Sequence, residues 1–465
     1  MAIGPEAASA TRTAALQGRP DAKRGPGTFA IGLALIALAG LGIRLGYVLA
    51  GGASDTSEDG LYYHFAANLL ADGDGYVNPW NGVPTAQHPP AWPAMLGLAS
   101  LVGLDGLLAH QVLASVVGTV TIPLVGMAVR LLAGTRVGLL AAAITAANPN
   151  MWVRERELLG QTLVFPLVAV ALVLAYRYWK IPRLITLAAL GGICGVLALV
   201  HASLALLLVL LLPLVSLRTP SGLTSTRRLR HLVAALGIAG AALLPWMVRN
   251  TVRFERPVLL TTTPGLNLRV GTCPAGYYGE RIGSFDPDIW LPPAAVGPGR
   301  CSYVVTSTNE AEQDVEHRAR AVAYMRENAP RVPIVAAARQ GRMWGVFRPF
   351  QTATFDQDFG GGPLVVYQAG LVFYWAIIPF AAAGAVRLRR RGVTLAPLLP
   401  FFVVAIATAA IAFGTFRYRA PAEVPIVILA AVGVDALLSS SRRHDATATR
   451  NASATSSASA SVNSV

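Results

Sequence analysis

Long apolar runs alternate with short polar connections along almost the whole chain. Most runs have about 18 to 25 residues, the length that an α-helix needs to cross the hydrocarbon core of a membrane. The pattern predicts ten transmembrane helices and therefore an all-α polytopic membrane protein. The predicted spans are residues 29–50, 108–130, 136–152, 158–178, 183–200, 202–217, 231–248, 363–386, 393–414 and 420–440.

The polar stretches divide the chain into further units. The two ends are small and polar, and we predict that both are disordered tails. A long segment rich in Pro and Gly follows the first group of spans and has the composition of a folded cap. In chain order the units are a tail (1–27), a transmembrane core (28–248) with a first outer loop (51–107), an outer segment (249–362), the last transmembrane helices (363–440) and a second tail (441–465).

Composition and charge agree with a membrane protein. Hydrophobic residues make up 54% of the chain and charged residues 13%, a balance that excludes a soluble domain of this length. The net charge of +14 could suit a nucleic-acid partner, but the arginines are dispersed between the spans, as topology requires. We therefore expect no nucleic-acid partner. The first apolar run lies too far from the N-terminus for a cleavable signal peptide, so we expect it to remain as the first helix.

The distribution of Lys and Arg predicts the orientation. With the N-terminus inside, every inner connection carries Lys or Arg, whereas the first outer loop contains none. We therefore expect a multi-pass protein of the inner (plasma) membrane with both termini in the cytoplasm. The first outer loop and the outer segment then face the non-cytoplasmic side.

Two local features stand out within the outer segment. Asn309 and Glu312 predict a capping box that opens a helix extending to about Glu327. Cys273 and Cys301 lie on the side where an oxidising compartment permits a disulfide, but the sequence leaves open whether their geometry fits.

The first outer loop carries the most informative polar residues. Apolar residues at helical spacing predict a short interfacial helix from about Asp59 to Gly73. Asp59 would then lie at the helix N-terminus, where an acid often does no more than cap the helix dipole. Beside Tyr62, Tyr63 and His64, however, an ionised carboxylate could also accept a proton from a nucleophilic hydroxyl.

Farther along the same loop, His88-Pro89-Pro90-x-x-Pro93 fixes an extended turn that leads back to the membrane. This motif, together with Asp59-x-x-Tyr62 and an Ala-x-x-Leu-x-x-Gly spacing, resembles the first exoplasmic loop of GT-C fold glycosyltransferases. The branch it resembles contains the protein O-mannosyltransferases and the lipid A aminoarabinose transferases. The resemblance implies transfer of a sugar from a polyprenyl phosphate to an acceptor outside the cytoplasm. It also implies that Asp59 is the general base or the acid that orients the acceptor.

Other charged residues fall on the same predicted side. Glu155 and Glu157 lie where the resemblance implies a second acid, although they could equally form a self-paired charge cluster with the neighbouring arginines. Arg417 and Arg419 could bind the donor phosphate as guanidinium forks, or could simply contact lipid headgroups. Arg44 lies within a span, where an ionisable group either serves a site or snorkels to the interface.

The remaining candidates are weaker. Tyr62, Tyr63, His64, His88 and Arg249 are predicted to contact substrate, although Arg249 could merely shape the turn that leaves the membrane.

We interpret His201, between two spans, as a core histidine, and Cys194 as inert packing. The sequence has no phosphate-cradling Gly-x-x-x-x-Gly-Lys run, no Cys-x-x-Cys and no His-x-x-x-His, so we expect no nucleotide cofactor and no metal.

These features predict a glycosyltransferase that works by inverting single displacement. A lipid-linked sugar is the expected donor substrate, and no cofactor is expected. The sequence does not distinguish a protein, glycan or lipid acceptor. The alternative from another class is a multispan transporter or lipid flippase, since ten spans with a buried arginine would suit that as well. An inactive scaffold of the same fold is a third possibility.

Overall fold

The computed structural model describes residues 26–51, 56–219, 222–286, 305 and 307–439. These residues are predominantly α-helical, and the β pairing among them is an isolated antiparallel bridge between Val77 and Pro84. The helices of the first half are α1 (Pro26–Gly51), α2 (Glu58–Asp72), α3 (Ala91–Ser100), α4 (Leu107–Ala133), α5 (Thr135–Ala147), α6 (Pro149–Arg156), α7 (Gln161–Lys180), α8 (Leu184–Val200) and α9 (Leu206–Leu217). Those of the second half are α10 (Ser225–Phe254), α11 (Pro264–Val270), α12 (Pro274–Tyr277), α13 (Glu310–Glu327), α14 (Val332–Met343), α15 (Pro349–Gly360), α16 (Leu364–Arg390), α17 (Leu399–Ile411) and α18 (Phe416–Ser439).

Among the described residues, six helices are long and apolar enough to cross a membrane, namely α1, α4, α7, α10, α16 and α18. Four shorter apolar helices occupy Thr135–Ala147, Leu184–Val200, Ala202–Leu217 and Ala396–Ile411. Each of the ten predicted spans coincides with one of these helices. The polytopic all-α architecture is thereby confirmed, while the crossing of the membrane by the four shorter helices stays a prediction.

Helix α18 lies deep in the bundle. Within its apolar window 72% of the residues are buried, compared with 22% in α1, which faces outward along most of its length. Close packing against α16 depends on Gly384 and Gly433, because a Cβ atom at either position would overlap the backbone of the partner helix. The residues at the start of α18 are therefore held at the centre of one end of the bundle.

The helix predicted in the first outer loop is confirmed as α2. Ser57 caps its N-terminus by accepting a hydrogen bond from the amide of Gly60. Gly73 ends the helix with a φ of 91°, a left-handed conformation that favours glycine. Helix α2 packs against α3, so the first loop is a folded helical pair.

Short helices fill the outer segment. The predicted helix after Asn309 is confirmed as α13, and the Asn309 side chain accepts a hydrogen bond from the amide of Ala311. The Asn309 amide, however, donates to the Ser307 hydroxyl and not to Glu312, so the predicted capping box does not form. Cys273 is disulfide-bonded, whereas Cys301 lies outside the described residues. The predicted tails at 1–27 and 441–465 are also outside them, apart from the two residues that begin α1.

Candidate active site

Asp59 lies in the first turn of α2, and that turn is anchored to the segment that follows α6. The Ser57 hydroxyl donates to the carbonyl of Glu157 at 2.8 Å, and the Thr56 hydroxyl donates to the carbonyl of Arg156 at 3.0 Å. Gly60 allows this close approach, because a Cβ atom there would overlap the Glu157 carbonyl oxygen. The position of Asp59 is thus set by local capping and by a contact with a distant segment.

Arg417, in the first turn of α18, meets Asp59 directly. Its Nη1 donates to Asp59 Oδ2 at 2.9 Å, although 358 residues separate the two in sequence. The Asp59 side chain is 30% exposed and the Arg417 side chain 14%. The structure therefore brings together the predicted general base and one predicted phosphate ligand, and leaves both partly accessible.

Helix α15 holds Arg417 in place through two residues that the sequence analysis missed. The guanidinium lies over the ring of Phe359 at 4.0 Å from its centroid, within the range of a cation–π contact. Asp356 accepts from the Thr415 hydroxyl at 2.6 Å and from the Phe416 amide at 3.0 Å. Because Asp356 and Phe359 are three residues apart on one helix, they share the face that meets the start of α18.

His88 forms the other side of the Asp59 environment. Its Nε2 is 3.9 Å from Asp59 Oδ1, and its Nδ1 is 3.0 Å from the hydroxyl of Tyr63. The ring of Tyr62 also packs against the imidazole, with centroids 4.8 Å apart. Three predicted substrate-contacting residues thus lie together on one side of the predicted base, with Tyr62 and Tyr63 largely buried and in contact with His88.

Burial keeps both His88 and its partner Tyr63 uncharged. Burial lowers the pKa of His88 below its usual value, so the ring is neutral near pH 7. Burial also raises the pKa of Tyr63 well above 10, so its hydroxyl keeps its proton and can donate to Nδ1. When the Tyr63 hydroxyl donates to Nδ1, the ring proton is on Nε2, on the side of the Asp59 carboxylate.

The predicted second acids are paired with arginines inside the protein. Glu155 Oε1 accepts from Arg44 Nε at 2.8 Å, and both side chains are 1% exposed. Glu157 accepts from Arg154 at 2.7 Å and from the Tyr367 hydroxyl at 2.5 Å. The structure therefore does not bring Arg44 to the Asp59–Arg417 pair, and it places both glutamates in enclosed contacts.

Arg419, unlike Arg417, is also paired with a glutamate inside the protein. Its side chain is fully enclosed, donates to Glu423 Oε1 at 2.6 Å and lies over the Tyr374 ring at 3.7 Å. The same carboxylate accepts a bond from Asn148 at 3.3 Å. The geometry gives an accessible guanidinium to Arg417 and an internal, paired one to Arg419.

The other predicted contact residues lie outside the immediate surroundings of Asp59. His64 points away, with its Nδ1 3.0 Å from Nδ1 of His110. Arg249 donates to the backbone carbonyls of Thr85 at 2.6 Å and Tyr76 at 2.5 Å, which fixes the loop that precedes His88.

His201, interpreted from the sequence as a core histidine, is close enough to Asp59, His88 and Arg417 for their charges to act on its ionisation. Its Nδ1 is 2.9 Å from the hydroxyl of Ser203. Within the described part of the chain, no group of three His, Cys, Asp or Glu side chains is arranged to hold a metal ion.

Comparison with known proteins supports the fold. No family model and no curated protein matches the sequence. The Archaeoglobus fulgidus oligosaccharyltransferase, solved with a tethered acceptor peptide containing the NVT sequon, is similar with a TM-score of 0.50 and 12% identity, over 89% of this chain and 50% of its own. ArnT from Cupriavidus metallidurans, bound to undecaprenyl phosphate, is similar with a TM-score of 0.40 and 15% identity, over 88% of this chain and 78% of that chain.

The chain thus spans about half the length of the oligosaccharyltransferase that it matches. At this level of identity the similarity concerns the arrangement of the helices and not the chemistry. It confirms the prediction from the first-loop motifs that this all-helical membrane chain has the GT-C fold.

Proposed function

We propose that this protein is a membrane glycosyltransferase that moves a sugar from a polyprenyl phosphate to an acceptor hydroxyl on the non-cytoplasmic face. The observation that carries the proposal is the contact between Asp59 and Arg417 at 2.9 Å. A partly exposed carboxylate next to a partly exposed guanidinium suits a reaction that needs a base and an anion-binding group together. The GT-C fold, shared with an oligosaccharyltransferase, is consistent with this chemistry.

The proposed reaction is a single displacement with inversion. The acceptor oxygen attacks the anomeric carbon while the bond from that carbon to the phosphate oxygen breaks. Asp59 takes the hydroxyl proton, and polyprenyl phosphate leaves with the bonding electron pair. Arg417 neutralises the negative charge that develops on the leaving phosphate, which lowers the barrier. His88 Nε2 is 3.9 Å from Asp59 Oδ1, beyond hydrogen-bond distance, so a small closing movement would be needed before it could orient the carboxylate toward the acceptor.

The enclosed pairs have a different part in this proposal. Arg44 and Arg419 are each bonded to a glutamate within the protein, so we assign the phosphate to Arg417 alone. We assign no cofactor, and the lipid-linked sugar is the donor substrate.

The test uses cells that lack the gene and carry either the native chain or the variant Asp59→Asn. We expect the native chain, but not the variant at equal membrane level, to restore a glycosylated envelope product seen by mass spectrometry. Membranes supplied with the radiolabelled polyprenyl-phosphate sugar identified from that product should convert it to a larger labelled species. Movement of the label across the membrane without conversion would instead indicate a transporter or flippase, and full activity of Asp59→Asn would refute the assignment of the base.

A further inference from the structure

Glu310 is a buried carboxylate that the proposed reaction does not use. It lies in the first turn of α13, in the outer segment, and is 7% exposed. Its Oε2 accepts a hydrogen bond from the amide of Ala86 at 2.9 Å and another from the Thr262 hydroxyl at 2.8 Å. A single carboxylate oxygen thus joins α13 to the first outer loop and to a second part of the outer segment.

The loop that Glu310 contacts, residues 85–87, has backbone amide and carbonyl groups hydrogen-bonded to distant segments. Besides the contact of its amide with Glu310, Ala86 accepts from the amide of Thr262 at 2.9 Å. The carbonyl of Thr85 accepts from Arg249 at 2.6 Å, and that of Gln87 accepts from the Thr263 hydroxyl at 3.0 Å. Thr85 and Ala86 have no exposed surface. A buried segment with this many long-range backbone bonds can open only if several bonds break together, so it should be rigid.

His88 directly follows this segment. Its carbonyl accepts from the Tyr76 hydroxyl at 3.0 Å, and its ring stands 3.9 Å from Asp59. The path from Glu310 to His88 is therefore two residues of backbone that has little freedom to move. A shift of Ala86 would act on the imidazole through this short path, against the hydrogen bonds of His88 with Tyr63 and Tyr76.

We propose that Glu310 is a positioning residue, which holds His88 against Asp59 and so makes the outer segment part of the site. The inference rests on the proposed function, because it assigns Glu310 a role in the same transfer reaction. Replacing Glu310 with Ala leaves the Ala86 amide and the Thr262 hydroxyl without their acceptor, and the segment before His88 loosens. Arg417 and its supports on α15 are separate from this loop, so binding of the donor phosphate is unaffected.

The matched control for Glu310→Ala is Glu312→Ala. Glu312 lies in the same helical turn, but its side chain is 44% exposed and is paired with Arg256 at 3.0 Å. We expect Glu310→Ala to lower kcat by about tenfold or more, because a positioned group beside the base is displaced. The KM for the donor should change little. Glu312→Ala should change neither.

A double-mutant cycle with His88→Gln tests whether Glu310 acts through His88. In the His88→Gln background the further loss caused by Glu310→Ala should be less than about twofold, because the group being positioned is already gone. An equal loss in both backgrounds would overturn the proposal. If Glu310→Ala does not fold, Thr262→Val removes one of the two bonds to the same carboxylate and should give a smaller loss with the same dependence on His88.

A measurement without turnover separates this inference from the proposed function. Diethyl pyrocarbonate modifies accessible neutral histidines, and mass spectrometry of the peptide containing His88 reports the rate. We expect faster modification of His88 in Glu310→Ala than in the native chain and in Glu312→Ala. An unchanged rate would refute the positioning role, whereas absence of sugar transfer by the native chain would refute the proposed function and leave the labelling result intact.

Discussion

Replacing Asp59 with Asn should lower the rate of sugar transfer but raise the affinity for the donor phosphate. The substitution keeps the shape of the side chain but removes the charge that Arg417 contacts at 2.9 Å. Transfer should fall by about 10²–10⁴, because a general base contributes about that factor. Binding of the donor phosphate should become tighter, because in the native protein the phosphate has to compete with Asp59 for the guanidinium.

The strength of the Asp59–Arg417 pair sets the size of the second effect. Surface ion pairs contribute about 0.2–1 kcal/mol, whereas removing one partner of a buried pair costs about 3–5 kcal/mol. The two side chains are 30% and 14% exposed, so solvent screens the pair in part. We therefore take the free energy needed to break the Asp59–Arg417 pair as about 1–2 kcal/mol. Removing this cost should lower the Kd for a polyprenyl phosphate by about 5- to 30-fold.

The assay is titration calorimetry of the purified protein in detergent with farnesyl phosphate, a short polyprenyl phosphate that carries no sugar. The matched control is Glu58→Gln, which removes the same charge from the neighbouring residue but leaves the pair with Arg417 intact. Asp59→Asn should tighten binding by the factor above, and Glu58→Gln should change it much less. Equal tightening in both variants would show that only general electrostatics is at work. Weaker binding in Asp59→Asn would refute the competition between carboxylate and phosphate.

Three further predictions concern the supports of the site. Gly60→Ala should displace the first turn of α2 and lower transfer in the membrane assay by about tenfold or more, as small misplacements of catalytic groups do. Gly42→Ala, in open space on α1, is the control and should leave transfer unchanged. Arg44→Met should destabilise the protein by about 3–5 kcal/mol, and Arg44→Met combined with Glu155→Met should recover most of that loss in thermal unfolding. Burial lowers the pKa of His201 from 6.5 to about 4, so the unfolded chain takes up a proton below pH 6.5 that the folded chain resists until about pH 4. The Tm should therefore fall as pH decreases through this window, and His201→Gln should flatten the dependence.

The parts of the fold that depend on local signals could be predicted from the sequence. The ten apolar runs coincide with ten helices because burial in a membrane demands a long apolar segment wherever it occurs. The ends of α2 and the start of α13 were also predictable, since Gly73 and Asn309 act on their own helix termini.

The pairing of side chains could not be predicted in the same way. Asp59 and Arg417 were both candidates, but a contact across 358 residues depends on how α2 and α18 pack, which no local pattern encodes. Asp356 and Glu310 were missed because an acid within an irregular polar segment has no distinctive spacing. Their roles are evident only once the amides and hydroxyls that they bind are in place.

Arg417 and Arg419 illustrate how two similar neighbours acquire different surroundings. The first turn of α18, Phe416–Arg419, is a 3₁₀ helix, in which residues two apart point in directions about 120° apart around the axis. One arginine consequently faces Asp59 and the other faces Glu423 inside the bundle. The sequence could identify the pair of arginines as candidates, but choosing between them required the tertiary partners of each, Asp59 and Glu423.

The accessibility of the ion pairs at this end of the bundle determines where an anionic substrate can act. The pairs Arg44–Glu155, Arg154–Glu157 and Arg419–Glu423 have side-chain exposures of 4% or less, whereas those of Asp59 and Arg417 are 30% and 14%. An incoming phosphate can exchange only with a carboxylate whose partner it can reach. Opening an enclosed pair would leave a charge buried without compensation, at a cost of several kcal/mol. The enclosed pairs therefore stabilise α1, α6 and α18, and of these four pairs the proposed donor phosphate could open only Asp59–Arg417.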